Sequence, residues 1–316
     1  MKAKLLIYGL LMACIPYVSQ ATDLSVYRGA GCSGVQNLAA FKSFLGRNPD
    51  RVVDFLQTNN WAGMQNEAGW AIQCWARSGL KVKLTLSVPM LPSDGVSTLA
   101  QGAQGAYNSQ FTKLGTLLVQ NGFADADLRL GWEFNGGWYA WAAKKDPTSW
   151  VAYWRQIVKT MRAVPGAKFT FDWNPTWGMQ QILPSSVYPG DDVVDYIGMD
   201  MYNQDWGPGG TIVSSPQQRW KDYLNDNSGL NWLAEFAAQH NKPIVFPEWG
   251  TGTRPDGHGG GDDPYFVNQL VAWIKSHNLA YQSYFDVNVR GNSISCEIDN
   301  GQLPQSAAAY LTAYGK

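Results

Sequence analysis

Histidine is scarce in this chain: 316 residues hold only His240, His258 and His277. None of the three follows a strand-like run. A serine or cysteine nucleophile would therefore lack its histidine base, and a zinc site would lack its ligands. Basic runs are missing as well. Lys and Arg number 24 against 25 Asp and Glu, for a net charge of −1. With no arginine stripe to meet a phosphate backbone, no nucleic-acid partner is expected. Beyond the N-terminus no stretch approaches ~18 consecutive apolar residues, so no membrane span is expected. Tryptophan, by contrast, is abundant, with fifteen residues. In a globular protein most Trp belong to the core, but Trp132, Trp138, Tyr139 and Trp141 cluster in a Gly-rich stretch, where flat aromatic faces can stack on sugar rings.

The N-terminus reads as an export leader. Met1-Lys2-Ala3-Lys4 supplies positive charge, Leu5 to Ala13 is apolar, and Ser19-Gln20-Ala21 offers small residues for cleavage. A leader over residues 1–21 and a mature start near Thr22 are expected, with a secreted or periplasmic destination. The rival is a lipoprotein box at Leu11-Met12-Ala13-Cys14 with Cys14 lipidated; Met fits that box poorly, and the residues after Cys14 stay apolar.

Eight strand candidates follow: Leu24–Arg28, Arg51–Leu56, Lys81–Val88, Asp127–Trp132, Lys168–Trp173, Tyr196–Met201, Pro243–Pro247 and Ala280–Val287. Several are continuous apolar runs, as parallel strands covered on both faces should be. Helical patterns lie at Gln65–Ser78, Ala106–Asn121, Thr148–Ala163, Gln217–Gln239 and Pro264–His277. Asp146 and Asp263 precede Pro147 and Pro264 as N-caps before first-turn prolines. Repeated alternation predicts an α/β fold, a (β/α)8 TIM barrel formed as a single domain over 22–316. A doubly wound open sheet is the alternative, for which Gly29 to Gly34 offers a superficial G-x-G-x-x-G. No clear acidic residue follows it at the right place, and export argues against a nucleotide cofactor.

After leader cleavage three cysteines remain. Cys32 follows the first strand and Cys296 the last, and those strands are neighbours in a closed barrel, so a Cys32–Cys296 disulfide is expected. Cys74 falls in a helical pattern and is expected to be a buried free thiol. Gly257-His258-Gly259-Gly260-Gly261-Asp262-Asp263 could pass for a metal loop, but a rim loop is the simpler reading. No metal and no cofactor are expected.

Barrel enzymes place their chemistry at the carboxyl ends of strands. Few acids sit there: Glu133 after the fourth strand, Glu248 after the seventh, and Asp172, Asp200 and Asp286 near the ends of the fifth, sixth and eighth. The fourth and seventh strands face each other across a barrel mouth. Two carboxylates facing one cleft suit glycosidic bond cleavage, in which one acid protonates the leaving oxygen and the other attacks or stabilises the sugar cation. Glu133, between Trp132 and Phe134, has the more apolar neighbours, which favours its protonated form and the role of acid; Glu248 is then the nucleophile. Trp138, Trp141, Trp173, Trp177, Trp206 and Trp249 are candidate sugar platforms, each with core burial as the alternative. Asp172, Asn174, Asp200 and Asp286 are candidate ligands for sugar hydroxyls.

The segment Arg129-Leu130-Gly131-Trp132-Glu133-Phe134-Asn135-Gly136, with Trp138-Tyr139-Ala140-Trp141, resembles the acid/base segment of glycoside hydrolase family 26. Tyr188 to Asp200 is similar to that family's sixth-strand approach, and Pro243 to Gly250 to its nucleophile strand. The resemblance implies Glu133 as acid/base and Glu248 as nucleophile. It also implies a hydrogen bond from Tyr202 to the nucleophile, pairing of site carboxylates by Arg129, and Trp132 and Asn135 in the substrate site. The family's residue before the acid/base is His, where this chain has Trp132, an apolar face in place of a polar one. Family members act on β-mannan, mixed-linkage β-glucan or β-1,3-xylan. A secreted, monomeric, retaining endo-β-glycan hydrolase is therefore expected, acting on one of these or on a bacterial exopolysaccharide. A transglycosylase on the same carboxylates, an inverting enzyme with a longer pair, and a non-catalytic glycan-binding barrel are the alternatives.

Overall fold

The computed structural model describes residues 22–316 apart from 179, 290 and 292; the expected leader and Cys14 lie outside the described residues. The chain opens with Asp23–Tyr27 (β1), Gly31–Leu45 (α1), Arg51–Phe55 (β2), Trp61–Arg77 (α2) and Lys83–Val88 (β3). Leu99–Ala103 (α3) and Asn108–Gln120 (α4) lead to Asp127–Leu130 (β4), Pro147–Arg162 (α5) and Thr170–Trp173 (β5). A short 3-10 turn, Pro184–Val187, precedes Tyr196–Gly198 (β6) and Met201–Tyr202 (β7). A small hairpin, Trp206–Gly207 (β8) and Thr211–Ile212 (β9), precedes Pro216–Asn225 (α6) and Leu230–Gln239 (α7). Ile244–Gly250 (β10), Pro264–Ser276 (α8), Leu279–Phe285 (β11) and Pro304–Tyr314 (α9) complete it.

Strands β1 to β6 pair in sequence order, β6 pairs with β10, β10 with β11, and β11 returns to β1, all in parallel. An open doubly wound sheet would leave two edges; here Asp23–Tyr27 runs beside Tyr281–Phe285 and the sheet closes. β6 and β7 both pair with β10, through Ile197 opposite Ile244 and Met201 opposite Trp249. They are one barrel strand, interrupted at Met199 and Asp200, where the expected sixth strand ran unbroken. The result is an eight-position (β/α)8 TIM barrel.

Local sequence explains the parts. All seven residues of β10 are buried, which suits a strand covered by the barrel core on one face and helices on the other. In α5 the buried residues Trp150, Tyr153, Trp154, Ile157, Val158 and Met161 recur at helical spacing. Asp146 and Asp263 cap α5 and α8 by accepting the Ser149 and Phe266 backbone N–H groups. Asp263 also pairs with Arg219 at 2.6 Å, and Asp262 accepts from the Gln305 and Ser306 backbones. Both acids of the Gly-rich loop thus have structural partners.

Three expectations need correction. The helix expected over Gln217–Gln239 is two, α6 and α7, because Gly229 takes an extended conformation (φ −89°, ψ −169°) and restarts the helix. The expected Cys32–Cys296 disulfide does not form. Helix α1 begins at Gly31, so Cys32 lies in its first turn and bonds Cys74 on the neighbouring α2, with Cα atoms 5.0 Å apart. Cys74 is therefore not the free thiol. Cys296 is, and it lies fully buried against Gly250, where an added Cβ would stand 3.0 Å from its sulfur.

Candidate active site

β4 ends at Leu130, so Glu133 stands past the strand rather than closing it. Gly131 and Glu133 both take positive φ, 52° in each case. At Gly131 a Cβ would meet the Met90 sulfur at 2.5 Å, so only glycine fits there. For Glu133 the left-handed conformation costs about 1–3 kcal/mol, a kind of strain that collects at functional sites. The Glu133 N–H donates to the Asn174 carbonyl at 2.8 Å and helps hold the turn. Asn135, fully buried, fixes the next step: its side chain donates to the Thr176 carbonyl and accepts from the Thr176 N–H, both at 2.9 Å.

Glu248 is aimed by a different device. The pairing of β10 with β11 shifts register between Phe246 and Trp249. Such an irregularity re-aims side chains, and here it surrounds Pro247 and Glu248. One Glu248 oxygen lies 2.5 Å from Arg129 Nη1, and the other accepts from the Tyr202 hydroxyl at 2.5 Å. Arg129, fully buried on β4, pairs through Nη2 with Asp200 and donates from Nη1 to Ser87 Oγ at 3.1 Å. The interruption between β6 and β7 puts Asp200 in that position.

Glu133 and Glu248 line one cleft of about 740 Å³. Trp138 Nε1 donates to Glu133 at 2.8 Å. Burial, and then the negative charge of Glu248, raise the Glu133 carboxyl to a pKa of about 7. A carboxyl that holds its proton near neutrality, beside one paired with an arginine, is the division of labour an acid and a nucleophile need.

The other expected residues divide by position. Trp138 and Trp206 are 54% and 45% exposed and line the cleft, together with Trp177, Asp200 and Tyr202. Trp141, Trp173 and Trp249 are fully buried instead: Trp141 donates to the Trp132 carbonyl, Trp173 packs 5.0 Å from Phe134, and Trp249 4.9 Å from Tyr284. They are core residues and cannot serve as sugar platforms. Trp132 is only 4% exposed and does not line the cleft. Asp172 is buried and accepts from the Tyr281 hydroxyl at 2.9 Å, while Asp286 pairs with Arg28 at 2.9 Å. Asn174 is buried beside Asp172, both packed over Gly198, where an added Cβ would stand 2.6 Å from Asp172. None of these three reaches the cleft.

Sequence reasoning missed an aromatic wall. Tyr27, Phe55 and Phe285 line the cleft, with Tyr27 4.8 Å from Phe55 and 4.9 Å from Phe285. Each is the last residue of its strand, β1, β2 and β11. The strand-end filter applied to acids would have found them if applied to aromatics. Gln204 and Arg254 also line the cleft, from loops with no such signal.

A closed β/α barrel with an arginine-anchored carboxylate and a desolvated one in a single aromatic cleft has the parts that cleaving a glycosidic bond requires. The model of Glycosyl hydrolase family 26 matches residues 126–214, the stretch carrying Arg129, Glu133, Asp200 and Tyr202. Among solved structures, a family 26 β-mannanase from Bacteroides ovatus is similar at a TM-score of 0.62 and 19% identity, with 92% of this chain and 87% of that chain covered. The catalytic domain of a Bacillus sp. endo-β-1,4-mannanase gives 0.64 at 16% identity, over 93% and 87%. A Cellulomonas fimi endo-β-1,4-mannanase double mutant gives 0.65 at 19%, over 92% and 70%. The chain is a glycoside hydrolase whose residues 126–214 match family 26 and whose fold is similar to that of the family's mannanases.

Proposed function

We propose that residues 22–316 form the catalytic domain of an exported, monomeric, retaining endo-β-glycan hydrolase whose substrate is a β-1,4-linked mannan. The observation that carries this is the unequal treatment of two carboxylates in one cleft: Glu248 is held by Arg129 and Tyr202, while Glu133 is desolvated and keeps its proton near pH 7. Glu133 gives its proton to the glycosidic oxygen as Glu248 attacks the anomeric carbon, and the leaving sugar departs with that proton. Glu133, now a carboxylate, takes a proton from water, whose oxygen displaces Glu248 and restores the starting configuration. The mannan assignment is supported by the names of several similar structures, two of them endo-β-1,4-mannanases and another a β-mannanase from a symbiotic protist of a termite, complexed with a gluco-manno-oligosaccharide. Endo attack is supported by aromatic faces spread around the cleft, from Tyr27, Phe55 and Phe285 to Trp138, Trp177 and Trp206. Export is supported by the Cys32–Cys74 disulfide, a bond that persists in oxidising compartments. Among the described residues no helix is long and apolar enough to cross a membrane.

The test is incubation with mannan, mixed-linkage glucan, β-1,3-xylan and the producing organism's exopolysaccharide, with products read by mass spectrometry and the first anomer by proton NMR. Internal cleavage of mannan with a β-anomer first is expected. An α-anomer would replace the retaining mechanism, and cleavage of another glycan alone would replace the substrate. Exclusive transfer to sugar acceptors would make the enzyme a transglycosylase.

A further inference from the structure

The loop after Glu133 carries three aromatic rings packed on one another. Tyr139 stacks on Trp141, centroids 4.4 Å apart and planes 9° apart, and Trp132 lies 4.7 Å from Trp141 and 5.1 Å from Tyr139. Trp141 donates its indole N–H to the Trp132 carbonyl at 2.9 Å. Trp132 in turn donates its own N–H to the Tyr139 hydroxyl oxygen at 2.9 Å. Lys145 Nζ donates to the Tyr139 carbonyl at 3.0 Å and pins the backbone beneath the ring. Two of the three rings are buried in the core; Tyr139 alone lines the cleft that holds Glu133 and Glu248.

A phenolic oxygen has one proton to give and lone pairs to receive. Here the Trp132 N–H occupies a lone pair, which limits how the hydroxyl can turn. Its own proton has no acceptor among the described residues. Burial, and then the charges of Glu133 and Glu248, push the phenol above its ordinary range, so it remains a donor at every working pH. An oriented, unspent donor beside two catalytic carboxylates is built to meet an oxygen of the substrate.

We propose that Tyr139 donates a hydrogen bond to a sugar oxygen at the cleavage site, and that Trp132 is the positioning residue that aims it. This inference rests on the hydrolase reading above. It gives a role to Trp132, which is shut out of the cleft and acts on the substrate through its neighbour.

A double-mutant cycle on the full chain tests it, with kcat and KM measured on the glycan that the parent enzyme cleaves and unfolding temperatures measured alongside. Tyr139→Phe keeps the ring stack and removes only the hydroxyl; a loss of roughly ten- to hundredfold in kcat/KM is expected. Trp132→Phe keeps a ring and removes the N–H; a smaller loss, roughly three- to tenfold, is expected as the hydroxyl loses its direction. The double variant should be no worse than Tyr139→Phe alone, because aiming is irrelevant once the donor is gone. A merely structural role would lower the unfolding temperature of both single variants without this coupling. An active parent whose Tyr139→Phe variant keeps its rate within about twofold, or single losses that multiply in the double variant, overturns the inference alone. A parent inert on every glycan overturns the hydrolase reading and this inference with it.

Discussion

Arg129 and Glu248 lie 2.5 Å apart beneath the cleft, and the same guanidinium pairs with Asp200. One fully buried cation therefore serves two carboxylates. Arg129→Met would strand both, and breaking a buried pair by removing one partner costs about 3–5 kcal/mol. Denaturant unfolding should show that loss, and kcat/KM should fall at least about a hundredfold because Glu248 loses its anchor. Parent-like stability and rate in this variant would contradict the role given to Arg129.

Glu248→Ala removes the proposed nucleophile and should lower kcat at least about a thousandfold, as for a residue acting within a catalytic unit. Its unfolding midpoint should change far less than its rate, since Arg129 keeps Asp200 as a partner.

In the proposed acid role Glu133 must be protonated, and its pKa is raised to about 7, first by burial and then by Glu248. Activity should therefore fall as pH rises through about 7. Glu133→Gln should abolish that limb of the kcat/KM profile together with most of the rate. Stability follows the same sign. A folded-state pKa above the unfolded value of about 4.3 means that the folded chain binds the extra proton. The associated stability is present below the unfolded value and is lost as pH climbs through the folded one. Thermal melts at pH 5 and pH 8 should show Glu133→Gln gaining stability over the parent at the higher pH.

The disulfide closes a loop with a sequence separation of 42 between α1 and α2. Cys32→Ser with Cys74→Ser should cost about 2–4 kcal/mol in denaturant unfolding. Alkylation of the folded parent should leave Cys296 unmodified, since it is fully buried, and unfolding without reductant should expose that thiol alone among residues 22–316. Two or three reactive thiols in the folded chain would refute the assigned pairing.

The tryptophans should separate by assay. Trp138, 54% exposed, touches Glu133, so Trp138→Ala should raise KM or lower kcat with a small change in melting temperature. Trp173 is fully buried, so Trp173→Ala should lose about 3–5 kcal/mol of stability.

The barrel, and the placement of Glu133 and Glu248 at one cleft, were legible in the sequence. Hydrophobic runs of strand length alternating with helical patterns permit few folds, and acids just past strand ends are few enough to single out. Capping also read true at Asp146 and Asp263, because a cap depends only on the residues beside it. Tertiary structure alone decided what depends on direction. Helix α1 begins at Gly31, which puts Cys32 in its first turn, against Cys74 on α2 rather than near Cys296. A left-handed backbone at Glu133 and a register shift before Trp249 aim the two carboxylates, and neither is visible in a hydrophobic pattern. Trp138 and Trp141 lie three residues apart, yet one meets solvent and the other the core. Composition sets how much aromatic surface a chain carries; the packing of loops over the barrel mouth sets which faces remain open to a substrate.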